Sequence, residues 1–98
     1  MEELFYSWFK EHKEDLLKTG IATELISEPT LTDNPAIFAD HFSSTRMGRV
    51  TVWNSGSIEI EVVEQDASET VYYKHLEINE ENPRVEVILR EYFNRLIY

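Results

Sequence analysis

Arg49-Val50-Thr51-Val52-Trp53-Asn54-Ser55-Gly56-Ser57-Ile58-Glu59-Ile60-Glu61 is the stretch whose reading decides the fold. Two alternating segments flank Asn54-Ser55-Gly56, a hairpin-turn composition. A two-residue loop at Ser55-Gly56 would set Val52 against Glu59 and Thr51 against Ile60, placing acids against core residues. A three-residue loop ending in Gly56 with positive φ instead pairs Val52 with Ile58 and Val50 with Ile60. The other face then matches Trp53 with Ser57, Thr51 with Glu59, and Arg49 with Glu61. This register makes both faces chemically consistent. Val50, Val52, Ile58, Ile60 and Val62 turn toward the core, while Arg49, Thr51, Trp53, Glu59 and Glu61 project from an open face.

Working outward, Met47 to Trp53, Ser57 to Glu64 and Thr70 to Ile78 read as clear strands. Ile21 to Ser27 reads as a first strand. Ala36 to Phe42 is a candidate second, with poorer alternation, after the turn-rich Glu28-Pro29-Thr30 to Asn34-Pro35. Within Thr70 to Ile78, Val71 and Tyr73 suit one face, yet Leu76 and Ile78 belong to the opposite phase. Either a bulge falls near Lys74 or both faces are partly covered. The first eighteen residues have helical spacing, with Phe5, Phe9, His12 and Leu16 on a stripe widened by Leu4, Trp8 and Leu17. Gly20 is placed to end that helix in a left-handed conformation. A last helix follows Asn82 as N-cap and Pro83 at the first helical position, burying Val85, Ile88, Leu89, Tyr92 and Leu96. The expected fold is therefore α+β: an N-terminal helix, an antiparallel four- or five-stranded meander and a C-terminal helix, with the helices packed on one sheet face.

Ninety-eight residues make one domain, 1–98. A chain of this size buries roughly 65% of its extended surface, which leaves little room for a deep internal site. There is no long apolar run to span a membrane. The acidic, aromatic start is the reverse of a basic signal peptide. With no cysteine, disulfides and thiolate chemistry are excluded. These features point to a cytoplasmic protein.

Nineteen acids against nine Lys and Arg give a net charge of −10. Phosphate binding rests on clustered Lys and Arg, so neither nucleic acid nor an anionic membrane is the expected partner. A protein with a basic surface is the natural complement, although acidity can also serve solubility alone. Between Ser57 and Asn82 eight acids face a single Lys, Lys74. Asp66 and Glu69 fall in the loop at a sheet end. A rigid sheet carrying Trp53 beside Glu59 and Glu61 suits protein binding, since Trp is enriched at hot spots. Trp53 can equally cover a loop or the sheet rim, and the acids can form a solvated face. Arg49 opposite Glu61, as an exposed pair, contributes little alone.

Catalysis finds little footing in this chain. Three scattered glycines cannot form a phosphate loop. His12, His41 and His75 lack the spacing of helical zinc ligands, and His12 on an apolar stripe reads as a core or boundary residue. Asp40-His41 with Ser43 or Ser44 suggests a nucleophile set, but nothing supplies an oxyanion hole. Glu59 and Glu61 lie about 7 Å apart along a strand, without a cleft to raise either pKa. No catalytic residue, cofactor or metal is expected.

The segment Gly48-Arg49-Val50-Thr51-Val52-Trp53-Asn54-Ser55-Gly56, followed by Glu59 and Glu61, resembles the TriTu-type immunity proteins of bacterial polymorphic (Rhs-type) toxin systems. The likeness extends loosely to the aromatic-rich first helix and the C-terminal helix. It implies a small cytoplasmic protein that binds a cognate toxin domain and blocks its active or target-binding site. In that family the toxin is an ADP-ribosyltransferase acting on elongation factor Tu. The candidate toxin-binding residues come from the face reading and the acid clustering: Arg49, Trp53, Glu59, Glu61, Asp66 and Glu69. A small acidic secretion chaperone, holding an unfolded effector segment, is the alternative.

Overall fold

The computed structural model describes residues Met1–Tyr98. Five strands, β1 (Ala22–Ile26), β2 (Ala36–Phe42), β3 (Arg46–Trp53), β4 (Ser57–Glu64) and β5 (Thr70–Glu77), form one antiparallel sheet in sequential order. Short helices precede and follow it: α1 (Glu2–Glu11), α2 (Lys13–Lys18), α3 (Val85–Ile88) and α4 (Arg90–Ile97). This is the α+β meander the strand pattern implies, with Ala36–Phe42 confirmed as a full strand.

The β3–β4 register is the expected one: Val52↔Ile58, Thr51↔Glu59, Val50↔Ile60 and Arg49↔Glu61. Gly56 closes the turn with φ +99°, and its N–H donates to the Trp53 carbonyl at 3.0 Å. A side chain here would meet two obstacles, since the Ile78 carbonyl lies where a Cβ would stand. Gly56 therefore serves both the left-handed turn and the approach of the chain leaving β5.

Ile37 and Ala39 of β2, Val50 and Val52 of β3, and Ile58, Ile60 and Val62 of β4 turn to one face. There they meet Phe5 and Phe9 of α1 and Val85, Leu89, Tyr92 and Leu96 from the C-terminal segment. Period two in the strands and a period near 3.6 in the helices thus converge on one core. The phase of β5 is settled by a bulge at Val71, opposite the Val62/Val63 step, rather than near Lys74. Tyr72, Lys74 and Leu76 follow the helix-covered face of β4, and Tyr73, His75 and Glu77 the open one. Lys74 stays exposed at this edge strand, where a charge discourages further strand pairing.

Both helical regions differ from the continuous helices the spacing suggests. The first is interrupted at His12, whose backbone N–H and Nδ1–H both donate to the Trp8 carbonyl, at 3.0 and 2.9 Å. The imidazole stacks on the Trp8 indole with 4.2 Å between centroids. The helix breaks at His12, and Leu17 beyond it is exposed; Leu4 lies on the exposed side of α1 itself, so neither widens the buried stripe. At the other end Arg84, not Asn82, precedes the first helical residue, and the helix is divided at Leu89. Pro83 is buried in the approach loop, so the helix begins only after it.

Tyr92 of α4 packs directly over Gly48 of β3. A Cβ on Gly48 would lie 2.6 Å from Tyr92 Cε1 and 2.8 Å from its hydroxyl. That hydroxyl is hydrogen-bonded to Nδ1 of His41 at 2.8 Å, and His41 pairs across the sheet with Gly48. His41 is fully buried among Phe9, Tyr92 and Phe93, and its Nε2 has no protein partner. Burial pushes its pKa down from 6.5 to about 4, opposed only weakly by the Asp40 charge.

Gly48→Ala should lower stability by about 1–3 kcal/mol through overpacking against Tyr92, read from the urea midpoint. Because the folded pKa of His41 is depressed, its neutral ring contributes fully above pH 6.5 and that contribution is lost as pH falls toward 4. The shift amounts to roughly 3 kcal/mol across that window. His41→Gln should flatten the slope of unfolding free energy against pH there; an unchanged slope would assign the acid sensitivity to other groups.

Candidate functional site: the open sheet face

Since the helices pack on one side, the opposite side of the sheet is bare. It displays Phe38, Asp40 and Phe42 from β2, Met47, Arg49, Thr51 and Trp53 from β3, Ser57, Glu59, Glu61 and Val63 from β4, and Tyr73, His75 and Glu77 from β5. The alternating burial of β2, β3 and β4 and the cross-strand pairings place them together. Four of the six candidate residues, Arg49, Trp53, Glu59 and Glu61, therefore share one surface.

Arg49 is directly opposite Glu61, yet its ion pair is with Asp40 on the other neighbouring strand. Nε donates to Oδ1 at 2.6 Å and Nη2 to Oδ2 at 2.9 Å, while the guanidinium lies 4.1 Å over the Phe38 ring. A short carboxylate, with only 16% of its side chain exposed, presents both oxygens to the planar fork. The aromatic face beneath supplies a second attraction. These hydrogen bonds raise the Arg49 pKa, burial opposes them, and the Asp40 charge reinforces them.

That choice leaves Glu61 exposed, with neither an ion pair nor a hydrogen bond from any side chain. Glu59 accepts a hydrogen bond from the Tyr73 hydroxyl at 2.9 Å, which raises the phenol pKa. Glu77 accepts from Ser57 Oγ at 2.7 Å and is joined to His75 Nε2 at 2.6 Å. Its pKa is lowered by the Ser57 bond first and by His75 second. Trp53 is half-buried beside a shallow depression of about 340 Å³ bordered by Asn34, Ser57, Glu59 and His75.

Asp66 and Glu69 stand apart from this group. Both are exposed in the β4–β5 turn, at the opposite end of β4 from the Trp53 turn, roughly 20 Å away by strand rise. The three histidines also occupy separate places: His12 against Trp8, His41 in the core and His75 on the open face. Asp40 and His41, on successive positions of β2, point to opposite sides of the sheet. Asp40 is committed to Arg49 and His41 to Tyr92, so these two cannot form a relay with Ser43 or Ser44. No three His, Asp or Glu groups converge as a metal site requires, and no helix is long and apolar enough to cross a membrane.

The largest cleft, about 600 Å³, lies off the open face between Met1, Leu4, the Asn54–Gly56 turn and the Ile78–Pro83 loop. At its margin Glu2 is buried and accepts from Asn54 Nδ2 at 2.9 Å. Burial alone would raise the Glu2 pKa, but the Asn54 bond and the nearby N-terminal ammonium outweigh it and hold the pKa low.

Sequence reasoning missed Phe38, Asp40 and Tyr73 as members of the open face. The signal for Asp40 and Phe38 was present in the alternation of Ile37, Ala39 and His41. It was obscured because a buried histidine does not look like a core residue. Tyr73 depended on where the bulge fell.

A helix-backed antiparallel sheet with one bare, acidic and aromatic face defines a small α+β domain of the surface-presenting kind. The family model for immunity protein TriTu matches residues 3–95, and the chain belongs to that family. Its role is accordingly that of a toxin-neutralising immunity protein. No curated protein matches the chain.

Arg49→Ala should cost less than about 1 kcal/mol of folding stability, because the pair is partly exposed. Urea denaturation checks this; a larger loss would make the Arg49–Asp40–Phe38 group a structural support of the sheet.

Proposed function

We propose that this protein neutralises a cognate ADP-ribosyltransferase toxin domain of a polymorphic toxin system, in the cytoplasm, by covering the toxin's NAD or target-binding site with its open sheet face. The observation that carries the choice of face is the combination on one rigid surface of Trp53, exposed Tyr73 and the unpaired Glu61 carboxylate. A sheet face changes shape little on binding, so its contacts lose little conformational freedom. Covering a site needs no catalytic group in the inhibitor.

The net charge of −10 suits a toxin surface rich in Arg or Lys, which bind the anionic parts of a nucleotide substrate. Asp66 and Glu69, at the sheet end, extend the negative field rather than the central contact. Neutralisation follows when the open face occupies space that NAD or elongation factor Tu would need.

The test is co-expression with a candidate cognate ADP-ribosyltransferase toxin domain, followed by sizing of the complex and an ADP-ribosylation assay on elongation factor Tu. A one-to-one complex with a folded toxin and loss of modification is expected. Capture of an unfolded segment by a dimer would instead indicate a chaperone. Joint reversal, Glu59→Lys with Glu61→Lys, should weaken toxin binding by at least about 2 kcal/mol. Unchanged affinity would move the interface off this face.

A further inference from the structure

Resting on that reading, we propose that Glu61 and Tyr73 form a socket for an arginine side chain of the bound toxin. The sheet already contains one filled arrangement of this chemistry. Arg49 lies over an aromatic ring, Phe38, and forms two hydrogen bonds with a carboxylate, Asp40. Two strands away, Glu61 and Tyr73 are direct cross-strand partners on the same face. They provide a carboxylate and an aromatic ring with no cation between them.

Three features make this second pair receptive. The Tyr73 hydroxyl is tied to Glu59 at 2.9 Å, which restrains the ring while 56% of the residue stays exposed. Glu61 has no partner within the protein, because the one arginine opposite it is held by Asp40. A cleft of about 100 Å³ lies among Arg49, Thr51, Glu59, Glu61 and Tyr73. This suits the head of a side chain rather than a nucleotide. Arg49 borders the cleft, but its charge is matched by Asp40, and Glu59 adds a further negative group. The incoming group is a guanidinium because its plane can lie on the tyrosine ring while its edge meets both oxygens of Glu61. An ammonium group lacks that planar fork.

The test uses the complete chain and two readouts. With the toxin domain, Glu61→Gln and Tyr73→Leu should each weaken binding at least tenfold, while Tyr73→Phe, which keeps the ring, stays within about threefold of wild type. Glu61→Gln should also flatten the salt dependence. Without the toxin, NMR titration with ethylguanidinium should give saturable shifts at Glu61 and Tyr73 that Glu61→Gln abolishes. Ethylammonium should give weaker ones. Wild-type toxin binding together with unchanged affinity of Glu61→Gln or Tyr73→Leu would overturn the socket and leave the immunity reading standing. Equal shifts with both probes would overturn the arginine assignment. Failure of the wild-type chain to bind the toxin would overturn the immunity reading itself. Absence of any saturable guanidinium shift would count against the socket alone.

Discussion

A three-residue turn ending in the left-handed Gly56 sets the phase of β3 against β4, and the rest of the sheet inherits it. Side chains alternate with a period of two, so a slip of one residue would exchange the entire apolar set for the charged one. With Val52 against Ile58, one face becomes a place for helices to pack. With Thr51 against Glu59 and Arg49 against Glu61, the other becomes a surface that water must cover in the free protein. The Ile78 carbonyl, pressed against Gly56, joins the end of β5 to the same turn. One glycine thus serves the hairpin and the strand beyond it.

The helix-covered side depends on close approach as well as on apolar area. Gly48 interrupts the β3 run of side chains on the core face, and the Tyr92 ring fills the space. Its hydroxyl then meets buried His41, so α4 is tied to β2 by one polar contact and to β3 by close packing at Gly48. Such a contact is directional where hydrophobic packing is not, and it specifies which turn of α4 sits over the sheet. The same arrangement holds inside the core a ring whose burial disfavours a proton more than the Asp40 charge favours one.

On the open side, the distribution of partners matters more than the count of charges. Asp40 meets Arg49, Glu77 meets Ser57 and His75, and Glu59 meets Tyr73. Among these acids Glu61 alone has no such partner. A surface whose polar groups are mostly satisfied internally is held in place by its own side chains, and under the proposed reading Glu61 is the member left for a second protein. On that proposal, specificity in this domain would rest on placed charges rather than on an enclosed pocket.

The sequence by itself determined the α+β class, the meander order, the hairpin register and the common face of Arg49, Trp53, Glu59 and Glu61. These rest on local turn chemistry and on periodicity, which act over a few residues. Tertiary structure decided what those local rules leave open. It placed the β5 bulge at Val71, because pairing with β4 and burial of Tyr72 and Leu76 must be met together. It divided the N-terminal helix at His12, where the ring shares the Trp8 carbonyl with the backbone, and delayed the C-terminal one past buried Pro83. It gave Arg49 to Asp40 rather than Glu61, since both carboxylates flank the arginine and only the three-dimensional arrangement adds Phe38 to one of them.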